Sequence, residues 1–198
     1  SEFYFKVKSY GVKIEHFDVG GGIGVTYNSE KSFSVSEYAE KLIPKLKKLN
    51  CEIFFEPGRF LTANGGILVT KVLYNKKNNL KKFIIVDAAM NDLLRPSIYS
   101  AYHRIQPVEI SKSDKDIAAD IVGPVCESGD FFAKDRTITK ISSGKYLAIM
   151  SAAAYGMVMS SNYNARRRPA EVMVDGDKFK IIRSRETYDH LLYDEKII

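Results

Sequence analysis

The sequence contains no tryptophan and little cysteine or histidine, with two cysteines and three histidines among its 198 residues. Cys51 and Cys126 lie far apart, and neither has a neighbour at the spacing of a zinc site. The histidines His16, His103 and His190 also lack metal-ligand spacing. Two thiols are too few for the disulfide framework typical of secreted domains. The sequence therefore predicts free thiols in a reducing cytoplasm and no metal site.

No hydrophobic run approaches the ~20 residues that cross a bilayer, and the first residues lack the pattern of a signal peptide. The net charge of +6 is a modest excess, and many lysines fall in solvated runs. No RNP-like aromatic signature, helix-turn-helix spacing, Walker sequence or G-x-S-x-G elbow is present. We therefore expect no membrane and no nucleic acid as partner, whereas a pocket for an anionic small molecule suits the charge.

The first part of the chain alternates between strand and helix patterns. A short apolar stretch runs into the glycines at Gly20, and Ser34 and Glu37 have the spacing of a capping box that opens a helix. Helical spacing of apolar residues continues to about Leu49, after which Cys51–Phe55 forms a compact apolar strand. Such repetition predicts a parallel sheet whose loops lie at the C-terminal ends of its strands.

The rest of the chain has the pattern of short strands with few helices between them. Asp175-Gly176 lies between two strand patterns and is typical of a tight hairpin, and many short strands with turn residues predict an antiparallel sandwich or barrel. The predicted strands are Ile67–Tyr74, Phe83–Val86, Tyr146–Met150, Ala170–Val174 and Phe179–Ile182. We therefore predict an α/β plus β fold, with the C-terminal end of an α/β barrel at residues 1–65 and an antiparallel β-barrel domain at residues 66–198.

The glycines Gly20, Gly21 and Gly22 follow the first predicted strand. Because they have no Cβ atoms, their N–H groups can approach an anion closely, as phosphate-binding loops do. A tight chain connection is the alternative. A Rossmann site is not predicted, since the spacing is not G-x-G-x-x-G and no acidic ribose partner follows at the right distance.

The segment Glu56, Pro57, Gly58 and Arg59 places a carboxylate and a guanidinium at the end of an apolar strand. Charges at that end of a barrel strand are often functional. An ion pair that seals the barrel rim is the alternative.

Three further loops contain candidate site residues. Arg95 precedes a proline and lies near Tyr99. Its guanidinium can bind a carboxylate through two hydrogen bonds, although a lone arginine before a proline usually has a structural role. Cys126 and Glu127 follow a Gly-Pro pair, so the thiol lies in a loop, with an inert core cysteine as the alternative. Tyr155 follows an alanine-rich run, whose small side chains would let a ligand approach its hydroxyl. Packing at a strand end, which is common for tyrosines, is the alternative.

The order of these segments is more specific than any one of them. They are Asp18–Gly22, Glu56–Arg59, Asp87–Pro96, Gly123–Asp130, Ala154–Gly156 and Arg168–Val172. This ordered set resembles the diaminopimelate decarboxylases, which are pyridoxal-phosphate-dependent decarboxylases of the alanine racemase fold. The resemblance runs from about Val12 to Leu192, and the Cys-Glu-Ser-Gly-Asp sequence favours this family over the ornithine decarboxylases.

The resemblance implies a fold, a cofactor and a reaction. The fold is an eight-stranded α/β barrel that binds pyridoxal phosphate, followed by a β-barrel domain, in a homodimer whose active sites are shared across the interface. The cofactor is pyridoxal 5′-phosphate, and the reaction releases CO2 from meso-2,6-diaminopimelate to give L-lysine. A related ornithine or arginine decarboxylase, or a non-catalytic regulator of the same fold, is the alternative.

The resemblance also implies roles for the residues near the cofactor and the substrate carboxylate. The glycines Gly20–Gly22 would hold the cofactor phosphate, and Glu56 would keep the pyridine nitrogen protonated, so that the ring absorbs negative charge from the substrate. Arg59, Arg95 and Tyr99 would hold the carboxylate end of the substrate.

Three further roles follow from the same resemblance. Cys126 would be the general acid that protonates the substrate carbon, and Glu127 would bind the distal ammonium group, both from the partner subunit. Tyr155 would contact cofactor and substrate.

The Schiff-base lysine of the family has no match in this sequence. Lys6 and Lys8 have a similar aromatic context, but they precede the first strand directly, where the family has a helix, so a helix end is predicted there. The histidine that stacks on the cofactor ring has no counterpart either. We therefore expect a C-terminal portion of the enzyme that is inactive in isolation.

Overall fold

The computed structural model describes residues 2–31, 33–109 and 115–196. The chain folds into two compact units, Ser1–Thr62 and Ala63–Ile198. The units are described one after the other.

The first unit contains the helices α1 (Glu2–Ser9), α2 (Val35–Leu46) and α3 (Gly58–Thr62) and the strands β1 (His16–Asp18) and β2 (Glu52–Phe54). The two strands pair in parallel, with Phe17 opposite Ile53. The predicted order of strand, glycine loop, helix, strand and polar loop is confirmed. Because the strands are parallel, the glycine loop and the loop after β2 leave the sheet at the same edge.

Helix α2 begins where the sequence predicts, because the Ser34 side chain accepts a hydrogen bond from the N–H of Glu37. It ends at Leu46, shortly before the predicted end at Leu49. The chain reverses there through Asn50, which has a left-handed backbone with φ of 49°. Leu49 is buried, and its carbonyl accepts a hydrogen bond from the Tyr4 hydroxyl of α1.

Helix α1 carries Lys6 and Lys8 in its last turn. The helix end predicted for this segment is confirmed.

The second unit is built on a six-stranded sheet with the order β5-β8-β3-β4-β6-β7. Its strands are β3 (Leu68–Lys77), β4 (Lys82–Val86), β5 (Ile105–Pro107), β6 (Asp116–Val122), β7 (Phe131–Thr139) and β8 (Tyr146–Ile149). The edge strands β5 and β7 come within 8 Å of each other. The sheet is therefore a nearly closed barrel. The predicted barrel is confirmed, but the sheet is mixed rather than antiparallel, because β4 and β6 pair in parallel.

All six strands of the barrel contribute to one apolar core. Its buried members include Val72, Ile84, Ile105, Ile121, Phe132 and Leu147. Ala88 and Leu93 join the same core from the loop after β4. The core therefore anchors a loop that carries predicted site residues.

The sequence patterns missed β5, β6 and β7. Two register shifts in the pairing of β6 with β7 interrupt the alternation of side chains. Asp120 lies buried in β6, where it accepts the N–H of Asp135 at 2.6 Å and pairs with Lys81 at 3.0 Å. A buried carboxylate and broken alternation remove the periodic apolar signal on which strand prediction depends.

The strands β9 (Glu171–Asp175) and β10 (Lys178–Arg183) form a separate antiparallel hairpin. Asp175 pairs with Lys178, so Gly176 and Asp177 are the turn residues, and Gly176 has the positive φ of 59° that a tight turn requires. The predicted hairpin is confirmed. The last helix, α5 (Tyr188–Leu192), follows. None of the helices that the structure describes is long and apolar enough to cross a membrane.

Candidate functional site

The glycine loop and the loop after β2 contact each other within the first unit. The N–H of Glu56 donates to the carbonyl of Gly20 at 2.9 Å. A Cβ atom on Gly21 would lie 2.4 Å from the carbonyl oxygen of Glu56, so only glycine fits there. The two sequence-predicted segments are therefore brought together at the C-terminal edge of the parallel strands.

The backbone of the glycine loop suits an anion. Gly20 and Gly22 have positive φ values of 76° and 80°, whereas Gly21 does not. The N–H of Gly20 donates to the carboxylate of Asp18 at 2.7 Å. In the described part of the chain no acceptor receives the N–H groups of Gly21 or Gly22, both of which are exposed. Exposed amides in a turn that contains left-handed residues form a concavity that binds phosphate, so the loop fits the phosphate of a cofactor.

The charged side chains of the second loop remain separate. Glu56 is exposed, and Arg59 lies half-buried in the first turn of α3. No ion pair joins Glu56 to Arg59 among the residues that the structure describes. Both charges can therefore act on a bound molecule.

In the second unit, buried Asp130 joins two loops that carry predicted site residues. Its carboxylate accepts the N–H of Met90 and the N–H of Val125, each at 2.7 Å. A Cβ atom on Gly123 would lie 2.3 Å from this carboxylate, which explains the glycine. Burial raises the pKa of Asp130, and the two backbone N–H groups oppose that change. Asp130 thus docks the 123–130 loop, which contains Cys126, on the 87–94 loop.

Cys126 and Glu127 lie at the exposed tip of the 123–130 loop. The thiol of Cys126 is free. Glu127 accepts the N–H of Gly129 at 3.2 Å and the hydroxyl of Tyr163 at 2.9 Å. These hydrogen bonds lower the pKa of Glu127, and the one from Gly129 has the largest effect. The hydrogen bond between Tyr163 and Glu127 also raises the pKa of Tyr163. Glu127 is therefore held as an anion.

Arg95 and Tyr99 lie on the short helix α4 (Arg95–Tyr99). The Arg95 side chain is buried, with Nη1 3.2 Å from Nε2 of His103. Tyr99 is exposed. The hydroxyl of Ser97 donates to the carbonyl of Gly129, which joins α4 to the loop of Cys126.

Tyr155 lies on a strained turn. Its backbone is left-handed, with φ of 62°, which is uncommon for a bulky residue. The next residue, Gly156, must be glycine, because a Cβ atom would lie 2.3 Å from the carbonyl oxygen of Ala152. The Tyr155 side chain is exposed. Strained backbone that presents a side chain to solvent is typical of functional positions.

Sequence reasoning missed the segment 161–166, which packs on the 87–94 loop. Arg166 donates to the side-chain oxygen of Asn91 at 2.8 Å, and Asn91 donates to the carbonyl of Ser161 at 3.2 Å. A cavity of about 220 Å³ lies between them, lined by Met90, Asn91, Leu94, Ser161 and Tyr163. The Tyr163–Glu127 contact joins residues that are far apart in the sequence, so no spacing rule could have found it.

All of the predicted residues except Tyr155 thus form two groups. In the first unit the structure joins Gly20–Gly22 with the segment Glu56–Arg59. In the second unit Asp130 and Ser97 join the loop of Cys126 and Glu127 to the loop and helix of Arg95.

Comparison with known proteins gives the family. A family model described as pyridoxal-dependent decarboxylase, C-terminal sheet domain, matches residues 15–153. A diaminopimelate decarboxylase of Aquifex aeolicus is 49% identical over 190 residues, 96% of this chain. One of Haemophilus influenzae is 48% identical over 187 residues, 94% of this chain. The chain spans about 45% of the length of each of these relatives.

Solved structures of similar fold include proteins of the same name. The diaminopimelate decarboxylase of Helicobacter pylori, complexed with L-lysine, is 42% identical with a TM-score of 0.88, over 97% of this chain and 47% of that chain. A lysine decarboxylase of Selenomonas ruminantium, 17% identical with a TM-score of 0.73 over 84% of this chain and 44% of that chain, shares the fold. The chain therefore belongs to the pyridoxal-dependent decarboxylases, of which it carries the C-terminal sheet domain.

Proposed function

We propose that the protein containing this chain decarboxylates meso-2,6-diaminopimelate to L-lysine with pyridoxal 5′-phosphate, as the last step of lysine biosynthesis. The loop that carries Cys126 and Glu127 supports this most directly, because Asp130 and Ser97 dock it against the loop and helix of Arg95. This docking fixes the base of the loop and leaves a thiol and a carboxylate exposed at its tip, where they can enter a substrate site. The choice of diaminopimelate as the substrate rests on the relatives, which are named diaminopimelate decarboxylases.

The first unit would bind the cofactor. The exposed N–H groups of Gly21 and Gly22 would hold its phosphate, and Gly20 shapes the loop. Glu56 would face the pyridine nitrogen and keep a proton there, with Pro57 and Gly58 setting the loop between Glu56 and Arg59. When bound, the pyridoxal group takes up the electron pair that the departing CO2 leaves behind.

The substrate has two carboxylates and two ammonium groups, and the chain offers groups for both charges. Arg59, Arg95 and Tyr99 would hold a carboxylate. Glu127, held as an anion by its hydrogen bonds, would accept the distal ammonium group. Tyr155 would contact cofactor and substrate from its strained turn.

Cys126 would supply the proton that replaces the carboxyl group. The C–C bond to the carboxylate breaks, CO2 leaves, and the thiol proton moves to the substrate carbon. The thiolate then regains a proton from solvent. Exposure of Cys126 in a loop, rather than in the core, is what such transfer requires.

A homodimer would complete the site, with Cys126 and Glu127 entering the active site of the partner subunit. Residues 1–65 would form the end of the cofactor-binding barrel and residues 66–198 the β-barrel domain. The protein would act in the cytoplasm.

Two measurements on the full-length protein test the proposal. Release of CO2 from diaminopimelate, ornithine and arginine should favour diaminopimelate, whereas preference for ornithine or arginine, or release from none, would refute the proposed function. Cys126→Ala should lower kcat by about 100-fold or more, since general acid catalysis typically contributes that much. Cys51→Ala is the control: Cys51 is a half-buried thiol just before β2, and its replacement should leave kcat close to that of the unaltered protein.

A further inference from the structure

His103 is buried at a place where both of its ring nitrogens have protein partners. It precedes β5 and is 0% exposed. Its Nδ1 lies 2.9 Å from the carbonyl oxygen of Met150, just after β8. Its Nε2 lies 3.2 Å from Nη1 of Arg95, the first residue of α4. The ring therefore bridges the barrel and the helix.

The chemistry of the two partners determines where the proton lies. A carbonyl oxygen only accepts, so Nδ1 carries the hydrogen toward Met150. A guanidinium only donates, so Nε2 must be the lone-pair nitrogen that faces Arg95. Both contacts are satisfied together only by the neutral ring with its proton on Nδ1.

The surroundings favour the neutral ring. Burial lowers the pKa of His103, and the positive charges of Arg95 and Arg136 lower it further, while the hydrogen bond to Met150 opposes them. Arg136 donates to the backbone carbonyl of His103 at 2.9 Å and packs on the ring of Tyr102. Among the described residues, protonation would add a positive charge beside Arg95 and Arg136 and remove the lone pair of Nε2 that faces Arg95.

We propose that His103 is a positioning residue for substrate binding: its Nε2 accepts a hydrogen bond from Arg95 and holds that guanidinium in the orientation that receives the substrate carboxylate. The role rests on the proposed function, in which Arg95 is a carboxylate ligand. Arg95 is itself 7% exposed, so few of its donors are open to a bound molecule, and rotation of its side chain changes which ones. A fixed acceptor behind the guanidinium limits that rotation.

Two substitutions at position 103 separate the two ring contacts in the full-length enzyme. His103→Asn keeps a donor near the position of Nδ1 and loses the acceptor toward Arg95. His103→Gln keeps an acceptor near the position of Nε2 and loses the donor toward Met150. We expect His103→Asn to raise the KM for diaminopimelate about tenfold with kcat within about threefold, and His103→Gln to restore most of the KM.

The pH dependence of KM distinguishes this role from a purely structural one, which would not change it. In the unaltered enzyme KM should rise as the pH falls below the ordinary histidine range, because protonation expels Arg95 from its acceptor. His103→Gln has no group that titrates there and should lose this rise. His190→Asn, at the exposed start of α5, is the matched histidine control and should leave KM and its pH profile unchanged.

The outcomes distinguish the two proposals. If the unaltered enzyme releases no CO2 from diaminopimelate, the proposed function fails. If it is active and His103→Asn leaves KM unchanged, or His103→Gln is no better than His103→Asn, the positioning role fails. Nitrogen-15 spectra of the unaltered protein give a test that does not depend on the variants folding, since a proton on Nε2 of His103 at neutral pH would overturn the role.

Discussion

Hydrogen bonds to Glu127 decide how this exposed residue can act. Its carboxylate has one partner in its own loop, the N–H of Gly129, and one far along the chain, the hydroxyl of Tyr163. Cys126 beside it is exposed with a free thiol. The loop therefore presents a free thiol next to an oriented carboxylate.

Tyr163→Phe removes the hydroxyl that donates to Glu127 and keeps the ring. We expect the KM for diaminopimelate to rise on the order of fivefold in the full-length enzyme, with kcat little changed, because a hydrogen bond to a charged group is lost. The pKa of Glu127 should rise toward its ordinary value, since one of the interactions that lower it is gone. The acid limb of kcat/KM should therefore move to higher pH.

Steady-state kinetics against pH measure both effects. Tyr193→Phe, an exposed tyrosine after α5, is the control. An unchanged KM and an unchanged acid limb in Tyr163→Phe would contradict the role assigned to this contact.

At the scale of elements, two parallel strands bring the glycine loop and the segment Glu56–Arg59 to one edge. Their packing leaves no room for a side chain on Gly21. The loops on the barrel are held differently, through the single buried carboxylate of Asp130. A close backbone approach thus joins the loops of the first unit, whereas a buried carboxylate and the Ser97 hydrogen bond join those of the second.

Gly21→Ala should separate the two loops of the first unit, because the added Cβ atom would lie 2.4 Å from the carbonyl oxygen of Glu56. We expect affinity for pyridoxal phosphate to fall about tenfold, the usual cost of such overpacking. Gly24→Ala is the matched control, since its Cβ atom would meet nothing within 4 Å. Spectroscopic titration of the full-length apoprotein measures the affinity, and equal affinities for the two variants would contradict the packing argument.

Glu186, which lies just before α5, forms hydrogen bonds with Asn162 and Arg168. It accepts from the N–H of Arg168 at 2.8 Å and from the side chain of Asn162 at 2.7 Å. Hydrogen bonds from Arg168 lower the pKa of Glu186 to about 2. A carboxylate with a lowered pKa stabilises the fold above its ordinary pKa, and that contribution is lost as the pH falls from 4.5 toward 2.

Glu186→Gln should therefore lower Tm at neutral pH, on the order of 3 °C. The difference from the unaltered protein should shrink as the pH falls below 4.5. Thermal unfolding of the full-length protein at several pH values measures both. A Tm difference that does not depend on pH would contradict the assignment of the charge.

At the scale of the whole molecule, the chain has two units and about 45% of the length of its relatives. The proposed function assigns the cofactor phosphate and ring nitrogen to residues of the first unit, and it assigns Cys126 and Glu127 of the second unit to the substrate. The lysine that the proposed function requires for cofactor binding is expected outside this chain.

Lys6 and Lys8 should therefore not serve as that lysine. Treating the 198-residue chain with pyridoxal phosphate and borohydride should give no stoichiometric adduct at either position, because both lie at the end of α1 rather than in a strand. The full-length protein should give one adduct per chain at another lysine. Peptide mapping locates the adduct, and its appearance at Lys6 or Lys8 would overturn this expectation.

Local signals made part of the fold predictable. The hydroxyl of Ser34 caps α2, and the glycine after Asp175 turns the β9–β10 hairpin, because each depends on residues close in the sequence. The strands β6 and β7 gave no such signal, since Asp120 and the register shifts interrupt their alternation, and β5 has only three residues. Their pairing depends on partners that are distant in the chain.

The sequence by itself determined which residue types are available and in which order, and that order is what indicated the family. Only the tertiary structure decided which of them meet. His103 reaches Arg95, Asp130 reaches Met90 and Tyr163 reaches Glu127 through the packing of strands and loops on a common core. Such contacts follow from the register of the barrel, which the energy of the whole core sets and no short segment encodes.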